Sequence, residues 1–381
     1  MNTLKNLIIG AGPAGLAVAG CLRKKGLDFE VLEATDKIAW SWTNHYDRLC
    51  LHTVKQLSHL PHLPFPEDYP LYVPREDLVR YYEQYADHFN IHPHFGERVD
   101  SIQKKEGQYE VRTRSGKVFL TENVIIATGA NRVPHSPNWP QQETYQGELI
   151  HSRHYKSAKP YKGQKVLIIG MGNTGAEVAL DLSEQGAEPY LSVRSAVNIV
   201  PRDLNGRPTQ LTARQLAKLP FGLGDWLGTM IRKFVVGDLS KYGLQTATIA
   251  PAKQLRETGK TPIIDLGTID HIRKGKIKVM PDIERFSASG VVFKNGQEVD
   301  FDAIIVATGY RAKVTEFMSM AAPFIDKNGF PKGPIGKGEL AGSYFIGFDN
   351  YKLGGLLGTI YNDSQTIADT IAATTPAAVK V

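Results

Sequence analysis

Cysteine is nearly absent from this sequence, and its scarcity excludes two classes of protein. The 381 residues include only Cys21 and Cys50. Two cysteines cannot build a disulfide framework, and without a Cys-x-x-Cys pair the chain lacks the dithiol of a disulfide reductase. Few cysteines are typical of a reducing compartment. Because the N-terminus also leads directly into an apolar strand pattern, without a signal-peptide layout, we expect a cytoplasmic location.

Long apolar runs and a strong charge imbalance are missing as well. No stretch approaches the ~20 apolar residues that span a bilayer, so no stable membrane anchor is expected. The formal net charge is only +6, and the basic clusters at 23–25 and 273–276 are typical of a solvated helix end and hairpin turn. Nucleic acid is therefore not an expected partner. The histidines lack the spacing with carboxylates that a metal site needs, so no metal is expected.

The feature that the sequence does have is a repeat. Residues 6–15 (NLIIGAGPAG) and 165–175 (KVLIIGMGNTG) each combine a short apolar strand, a G-x-G-x-x-G turn and the start of a helical pattern. Each copy continues through a predicted hairpin to the tripeptide Ala-Thr-Gly, at 127–129 and at 307–309. A single G-x-G-x-x-G is weak evidence, but two copies between a strand and a helix predict two dinucleotide-binding, Rossmann-like units in an α/β fold.

The order of the repeats predicts a discontinuous first domain. We expect an FAD-binding domain whose first part spans 1–158, an inserted NADPH-binding domain at 159–312, and a return to the FAD-binding domain at 313–381. The residues after the second Ala-Thr-Gly are too few for a third unit, which is why they are assigned to the first. These patterns predict no particular oligomeric state.

The two turns supply the first candidate cofactor-binding residues. In each turn the first glycine permits the tight bend, the second lets the pyrophosphate approach and the third lets the helix pack on the strand. The pyrophosphate charge then meets the N-terminus of the helix. The predicted residues are Gly10, Gly12, Pro13, Ala14 and Gly15 in the first unit, and Gly170, Gly172, Asn173, Thr174 and Gly175 in the second.

The residue after the second strand of each unit discriminates between the two nucleotides. Glu33 lies 18 residues after Gly15, where a carboxylate accepts hydrogen bonds from both hydroxyls of an unphosphorylated ribose, as in FAD. The second unit has Arg194 and Ser195 at the matching place and no carboxylate. Because arginine forms a charge-assisted bidentate bond with a 2′-phosphate, this unit is predicted to bind NADPH rather than NADH.

The segment between the units carries a resemblance to a known family. Residues 145–155 (YQGELIHSRHY) resemble the pattern F-x-G-x-x-x-H-x-x-x-Y/F/W of flavin-containing and Baeyer–Villiger monooxygenases, with matches at Gly147, His151 and Tyr155. Tyr145 replaces the phenylalanine, and Tyr155 with its following lysine departs from the Baeyer–Villiger version, which usually ends in Trp followed by Pro or Asp. Further similarity, to the plant YUCCA-type enzymes, lies at Trp42, 46–49, 51–52, 55–56, 64–70, 259–262 and 307–310, within roughly residues 5–370.

This resemblance implies an enzyme and adds to its candidate residues. It implies an NADPH-dependent flavoprotein monooxygenase that forms a C4a-(hydro)peroxyflavin from dioxygen and converts a small organic substrate, either indole-3-pyruvate or a related 2-oxo acid, to the acetate. No residue is assigned a certain catalytic role because the flavin carries the chemistry; Asn173 is the candidate, at the place where NADP⁺ would be clamped. The remaining cofactor-binding candidates are Trp42, His52, Gln56, Thr128, Gly129, Gly147, His151, Ser152, Tyr155, Ser195, Thr308, Gly309 and Tyr310.

Other functions share these motifs and stay open at this point. The alternative chemistry is N- or S-oxygenation of small heteroatom compounds, or oxygenation of indole to an indigo-forming product. More remote alternatives are an NADPH-dependent flavin reductase and a nucleotide-responsive binding protein that keeps both sites with little turnover. His52 stands where animal flavin-containing monooxygenases have asparagine, which weakens the transfer of their amine-oxidising role.

Two stretches, 40–75 and 196–265, lie outside the repeat. The second includes the amphipathic segment 225–236, which we expect to be a helix packed on the second domain rather than a membrane contact. Tyr81, Tyr82 and Tyr85 have helical spacing and are expected to pack in the core.

Overall fold

A computed structural model describes residues 3–220 and 222–374 of the chain, which divide into two compact units. The first unit comprises Met1–Asn44, Thr53–Val133 and Arg311–Val381, and the second comprises His45–His52 and Pro134–Tyr310. The last seven residues of the predicted return segment, 375–381, lie outside the described residues.

The secondary structure alternates strands with helices, as the repeat predicts. The α-helices are α1 (Pro13–Lys24), α2 (Trp40–Thr43), α3 (Arg75–His88), α4 (Asn173–Glu184), α5 (Thr209–Leu216), α6 (Leu223–Val236), α7 (Pro251–Thr258), α8 (Thr268–Arg273) and α9 (Gly355–Thr374). Short 3₁₀ helices lie at Lys55–Leu57, Gln142–Thr144, Lys159–Tyr161, Ser240–Tyr242, Val314–Glu316, Ser319–Phe324 and Gly338–Leu340.

The strands of the described chain are, in order, β1 (Leu4–Ile9), β2 (Glu30–Leu32), β3 (Val99–Lys105), β4 (Gln108–Thr113), β5 (Val118–Ile126), β6 (Val133–Pro134), β7 (Glu148–His151), β8 (Lys165–Ile169), β9 (Glu188–Ser192), β10 (Ile199–Pro201), β11 (Asp203–Leu204), β12 (Arg207–Pro208), β13 (Ile263–Asp265), β14 (Lys278–Met280), β15 (Ile283–Phe286), β16 (Gly290–Phe293), β17 (Glu298–Asp300), β18 (Ala303–Val306), β19 (Tyr310–Arg311) and β20 (Ser343–Phe345).

The first unit is built on a sheet in the order β2-β1-β5-β4-β3, with β20 also beside β5. Strands β2, β1, β5 and β20 pair in parallel, whereas β3, β4 and β5 form an antiparallel meander. The parallel strands β1 and β5 are continuously apolar over 7–9 and 124–126, because these stretches are buried on both faces of the sheet. Leu7, Ile9, Val124 and Ile126 lie at this core. Helix α1 packs against both α3 and α9 in the same unit, and Tyr81, Tyr82 and Tyr85 of α3 are buried as expected.

The second unit repeats this architecture with a parallel sheet in the order β14-β9-β8-β18-β7. Its antiparallel meander is β15-β16-β17, the counterpart of the hairpins in the first unit. The predicted α/β class with two Rossmann-like units, the second inserted into the first, is confirmed.

The boundary between the units differs from the predicted one at 158. Strand β7 pairs in parallel with β18, with His151 opposite Val306, so the segment from Pro134 onward belongs to the second unit. Residues 45–52 also belong there, although their neighbours in the sequence belong to the first. Both differences have one cause: these segments are held by partners more than a hundred residues away, which a local pattern does not reveal.

The segment 196–265 forms a small helical layer in the second unit. Helix α6 contacts α5, α7 and β10, which confirms the predicted helix packed on this domain. Arg232 and Val236 are its buried residues, whereas Leu223, Trp226, Met230 and Phe234 are exposed. Within the described residues, no helix combines the length and apolar character needed to cross a membrane.

Candidate functional site

The first G-x-G-x-x-G turn has a geometry that only glycine satisfies. Gly10 has a φ of +111°, and a Cβ there would lie 2.7 Å from the carbonyl oxygen of Ala127. A Cβ on Gly15 would lie 1.9 Å from the oxygen of Gly10. A Cβ on Gly12, in contrast, would meet nothing within 4 Å. The first and third glycines are therefore required by packing, and the second leaves open space at the start of α1.

The second turn repeats each of these relations. Gly170 has a φ of +105°, and its added Cβ would lie 2.9 Å from the oxygen of Ala307. A Cβ on Gly175 would lie 1.9 Å from the oxygen of Gly170, whereas Gly172 again faces open space. The same stereochemistry in both units fits a bound dinucleotide whose pyrophosphate approaches the backbone of the middle glycine.

The helices that follow the turns fit an anionic ligand. Neither α1 nor α4 has a side chain that caps its N-terminus or an acidic residue in its first turn. Their first backbone N–H groups and helix dipoles therefore suit a phosphate group. The predicted residues Pro13 and Ala14 are the first two residues of α1, and Asn173 and Thr174 are the first two of α4.

Two predicted residues carry buried hydroxyls that have no hydrogen-bond partner in the described chain. They are Thr128 Oγ1, just beyond β5, and Ser152 Oγ, just beyond β7. A buried hydroxyl without a partner is unfavourable. Each lies beyond the carboxyl end of a parallel strand, the edge at which α/β sheets bind ligands, so these atoms fit groups that a nucleotide would supply.

Glu33 lies beside the first turn, as the sequence predicts. Its carboxylate accepts hydrogen bonds from the backbone N–H of Ala11 (2.8 Å) and Thr35 (2.9 Å) and from Thr35 Oγ1 (2.8 Å). The donors from Ala11 and Thr35 fix this carboxylate next to the glycine turn. It is held in the place from which it can accept hydrogen bonds from ribose hydroxyls.

Arg194 and Ser195 follow β9 and are exposed. The Arg194 guanidinium forms no hydrogen bond or ion pair with any part of the chain that the structure describes. An unpaired arginine at this position is free to bind a 2′-phosphate with two parallel N–H···O bonds.

His151 uses both ring nitrogens within the second unit. The backbone N–H of Arg153 donates to Nδ1 (3.1 Å), which therefore carries no proton, and Nε2–H donates to the carbonyl oxygen of Gly309 (3.2 Å). Burial lowers the pKa of His151, so the neutral ring is favoured. Its ring also lies edge-on to Tyr310, 5.1 Å between centroids. These contacts connect the ends of β7 and β18 and leave no ring nitrogen to act as a general base.

Tyr155 contacts a buried carboxylate. Its hydroxyl donates to Asp181 Oδ2 at 2.6 Å, and the backbone N–H of Ala158 donates to the same oxygen at 3.1 Å. The Nη1 atom of Arg48 lies 3.4 Å from Oδ1 of the same Asp181 carboxylate. Burial, followed by the adjacent Asp181, raises the pKa of Tyr155. Tyr155 is 1% exposed, so its contacts are with protein.

A second buried carboxylate on α4 holds His52. Glu177 Oε2 accepts hydrogen bonds from Tyr46 Oη (2.7 Å) and from His52 Nε2 (3.2 Å). The contact with His52 Nε2 attaches the imidazole to α4. Burial raises the pKa of Tyr46. Glu177 and Asp181, one turn apart, thus attach 45–52 and 155–158 to α4.

Asn173 has its amide engaged in the second turn. Its Oδ1 accepts from the N–H of Ile264 (2.7 Å), and its Nδ2 donates to the oxygen of Pro262 (3.3 Å) and to Thr261 Oγ1 (3.4 Å). These bonds attach the start of α4 to residues 261–264. The Asn173 amide therefore positions the start of α4, and its catalytic role stays a prediction.

The remaining predicted residues are distributed over both units. In the second unit, Thr308 Oγ1 donates to the oxygen of His135, Gly309 has a φ of +90°, and an added Cβ on Gly147 would lie 2.3 Å from Tyr145 Oη. In the first unit, Gly129 has a φ of +82°, Trp42 lies in α2 with its ring 6.4 Å from that of Tyr82, and Gln56 is exposed.

Sequence reasoning did not identify the two carboxylates of α4, Glu177 and Asp181, as structural residues. It also missed their contacts with Tyr46 and Arg48. The available signal was a pair of carboxylates at i and i+4, Glu177 and Asp181, in the otherwise apolar stretch 175–182. Among the described residues, no group of three or more His, Cys, Asp or Glu side chains is arranged to hold a metal ion.

Comparisons with known proteins agree with this geometry. The model of the family described as "FMO-like: Flavin-binding monooxygenase-like" matches residues 4–328. Indole-3-pyruvate monooxygenase YUCCA1 of Oryza sativa subsp. japonica is 38% identical over 371 residues, which cover 96% of this chain and 90% of that protein.

Two solved structures have a similar fold. A flavin-containing monooxygenase from Stenotrophomonas maltophilia has a TM-score of 0.74 at 21% identity, covering 98% of this chain and 99% of that one. An open crystal structure of cyclohexanone monooxygenase has a TM-score of 0.75 at 18% identity, covering 98% and 88% of the respective chains. At these identities, both bear on the fold alone.

The glycine turns predict a separation of stability from cofactor binding. Gly175→Ala should lower the free energy of unfolding by about 2 kcal/mol or more, because its methyl group meets the oxygen of Gly170. The matched variant Gly172→Ala should change it by less than about 1 kcal/mol, yet weaken NADPH binding by filling the open space. Denaturant unfolding and NADPH titration measure both; an unstable Gly172→Ala variant would contradict the assignment.

Arg194 should determine the preference for the phosphorylated nucleotide. Arg194→Ala should raise the KM for NADPH by about tenfold or more, through loss of a charge-assisted hydrogen bond. The KM for NADH, which has no 2′-phosphate, should stay within about twofold in the same variant and serves as the control. Equal effects on the two nucleotides in steady-state assays would show that Arg194 does not contact the 2′-phosphate.

Tyr155 should behave as a structural residue. Tyr155→Phe should lower the free energy of unfolding by about 1–3 kcal/mol, because Asp181 loses a buried donor, without changing the Kd for NADPH. Tyr242→Phe is the control, since the Tyr242 hydroxyl has no hydrogen-bond partner within residues 3–220 and 222–374. If Tyr155→Phe instead weakens NADPH binding at unchanged stability, Tyr155 contacts the cofactor.

Proposed function

The chain belongs to the flavin-binding monooxygenase-like family, and we propose that it converts indole-3-pyruvate or a related 2-oxo acid to the corresponding acetate. It is an FAD- and NADPH-dependent monooxygenase that takes dioxygen and a small organic substrate. The proposed substrate is the finer statement, and one observation carries it: 38% identity to a protein named as an indole-3-pyruvate monooxygenase.

The extent of that identity supports the proposal. The aligned residues cover 96% of this chain, so the likeness is not confined to the glycine turns, which serve nucleotide binding in flavoproteins of many activities. It includes most of the segments 40–75 and 196–265, which lie outside the nucleotide repeat. Residues outside the repeat are the ones free to differ between substrates.

We assign FAD to the first unit and NADPH to the second. Glu33 beside the first turn supports an unphosphorylated ribose, and the unpaired Arg194 after β9 supports a 2′-phosphate. The open space at Gly12 and Gly172 would receive the pyrophosphates at the starts of α1 and α4. When bound, the flavin reduced by NADPH supplies the oxygen-activating chemistry.

The protein's own residues act mainly by binding and positioning. His151, with both ring nitrogens engaged, holds β7 to the loop after β18, and Asn173 holds the start of α4 to 261–264. The buried, unpartnered hydroxyls of Thr128 and Ser152 would form hydrogen bonds with ligand groups. In this assignment no side chain becomes a covalent nucleophile. The overall reaction consumes one 2-oxo acid, O₂, NADPH and H⁺, and releases the acetate, CO₂, NADP⁺ and water.

The cellular location is part of the same proposal. Cys21 and Cys50 are both free thiols. Burial raises the pKa of the Cys21 thiol to about 11, which keeps it protonated and unreactive. Free thiols and dependence on NADPH support work in a reducing cytoplasm.

Product analysis tests the proposed substrate. Purified, FAD-loaded protein with NADPH, O₂ and indole-3-pyruvate should form indole-3-acetate in a one-to-one ratio with NADPH consumed, as measured by liquid chromatography with mass spectrometry. Parallel reactions contain a thioether, a tertiary amine or indole. Using ¹⁸O₂ should place one heavy oxygen atom in the acetate, because monooxygenation transfers one atom of O₂ to the product.

The other products would redirect the assignment. Sulfoxide, N-oxide or indigo without indole-3-acetate would make the enzyme a heteroatom or indole oxygenase. NADPH oxidation without incorporation of ¹⁸O would indicate a reductase. The Gly172→Ala variant is the control, since its weakened NADPH binding should reduce product formation and NADPH consumption together.

A further inference from the structure

A cavity of about 340 Å³ lies within the second unit, beside α6. Its walls come from the segment 196–265, which lies outside the nucleotide-binding repeat. They include the apolar side chains of Val197, Ile199, Val236 and Leu239. The volume is within the range of about 300–1,000 Å³ that small-molecule sites occupy. None of the lining residues belongs to the glycine turns or to the other predicted cofactor contacts.

Four polar residues of the described chain line the cavity, and of these Arg232 is buried whereas Lys233, Asp238 and Thr246 are exposed. Arg232 is 4% exposed and lines the cavity. Its Nη1 donates to Asn198 Oδ1 and to the carbonyl oxygen of Ala247 (3.0 Å). Its Nε is buried without a partner, and no hydrogen bond joins Nη2 to the described residues. Nε and Nη2 form one edge of the guanidinium, the edge that can bind a carboxylate with two parallel bonds.

No carboxylate of the described chain neutralises this charge. Arg232 has no ion pair within the described residues. Asp238 also lines the cavity, but it is exposed and accepts hydrogen bonds from the N–H (2.9 Å) and Oγ (2.9 Å) of Ser240. Arginine stays protonated even when burial lowers its pKa, as it does here. A buried charge needs a counter-charge, so the cavity is complementary to an anion.

We propose that this cavity is a binding site for a small organic carboxylate with an apolar body. The carboxylate pairs with the Nε and Nη2 edge of Arg232, and the apolar body contacts Val197, Ile199 and Val236. The charges of exposed Lys233 and exposed Asp238 at the same cavity offset each other, so the charge of buried Arg232 leaves the lining net positive. The apolar walls favour a carboxylate over inorganic phosphate, since a fully hydrated dianion gains nothing from them.

The site is connected to the second nucleotide turn by hydrogen bonds. Asn198, which accepts from Arg232, also accepts through its backbone oxygen from the N–H of Ile263 (2.8 Å). The next N–H, of Ile264, donates to Asn173 at the start of α4. Three hydrogen bonds, together with the peptide bond between Ile263 and Ile264, therefore connect Arg232 to Asn173 in the predicted NADPH turn.

Benzoate is the probe for this site. Calorimetric titration of the FAD-loaded protein should show saturable binding of benzoate, with the neutral isostere benzamide binding about tenfold more weakly or worse, because it lacks the charge that Arg232 recognises. Arg232→Gln should weaken benzoate binding by about tenfold or more. Arg256→Gln is the matched control, since that arginine is exposed and pairs with Asp225; it should leave benzoate binding unchanged.

A second variant covers the structural role of Arg232. Val236→Phe leaves the guanidinium in place and fills the cavity, so it should abolish benzoate binding while the protein stays folded. The proposal is overturned if the wild-type protein does not bind benzoate, if benzamide binds equally well, or if both variants bind benzoate like the wild type, because the ligand then lies elsewhere. Calorimetry requires no turnover, so its outcome is independent of the indole-3-pyruvate assay.

Discussion

Both units depend on one constraint, the close approach of backbone to backbone at the glycine turns. Ala127 N–H donates to the oxygen of Ile9, and Ala307 N–H donates to the oxygen of Ile169, each at 2.9 Å. These bonds bring the Ala-Thr-Gly segments so near that no Cβ fits on Gly10 or its counterpart. The helix after each turn can then begin with unpaired N–H groups facing open space. The two turns therefore have matching geometry, and in the proposed assignment each receives a pyrophosphate while the residue after the second strand distinguishes the nucleotides.

A second dependence concerns the two buried carboxylates on α4. Removing a carboxylate from water is costly unless hydrogen bonds replace its hydration, and Glu177 and Asp181 both accept several. Their donors come from 45–52 and from 155–158. This explains why residues 45–52 belong to the second unit although the flanking segments belong to the first. The three matching residues of the family pattern 145–155 all contact other residues of the second unit. Gly147 packs closely against Tyr145, and His151 and Tyr155 form hydrogen bonds with Gly309 and Asp181.

What could be predicted from the sequence follows the range of the interactions. The glycine turns, the two units and the discontinuous first domain are encoded by local patterns, and the family resemblance to YUCCA-type enzymes is confirmed by identity along the chain. The sequence predicts a boundary at 158, whereas the second unit already includes Pro134 and the residues after it. The reason is that β7 pairs with β18, a long-range contact that no local pattern indicates. The assignment of Tyr155 and His52 to cofactor binding stays a prediction, since the motif marks positions without naming the atoms they meet. Their partners, Asp181 and Glu177, are visible only when the fold brings distant segments together.

Arg232 shows the same limit and adds a physical argument about the segment 196–265. In the sequence it is one basic residue of an amphipathic helix, and such residues are usually exposed. In the structure it is 4% exposed and binds Asn198 and Ala247 through one nitrogen. A glutamine amide has two N–H donors and could make two such bonds without burying a charge. Two bonds to neutral oxygens therefore do not account for a guanidinium at this position. The positive charge and the remaining donors are explained if an anion binds in the cavity. The segment 196–265 would then bind a ligand in addition to packing on the second unit.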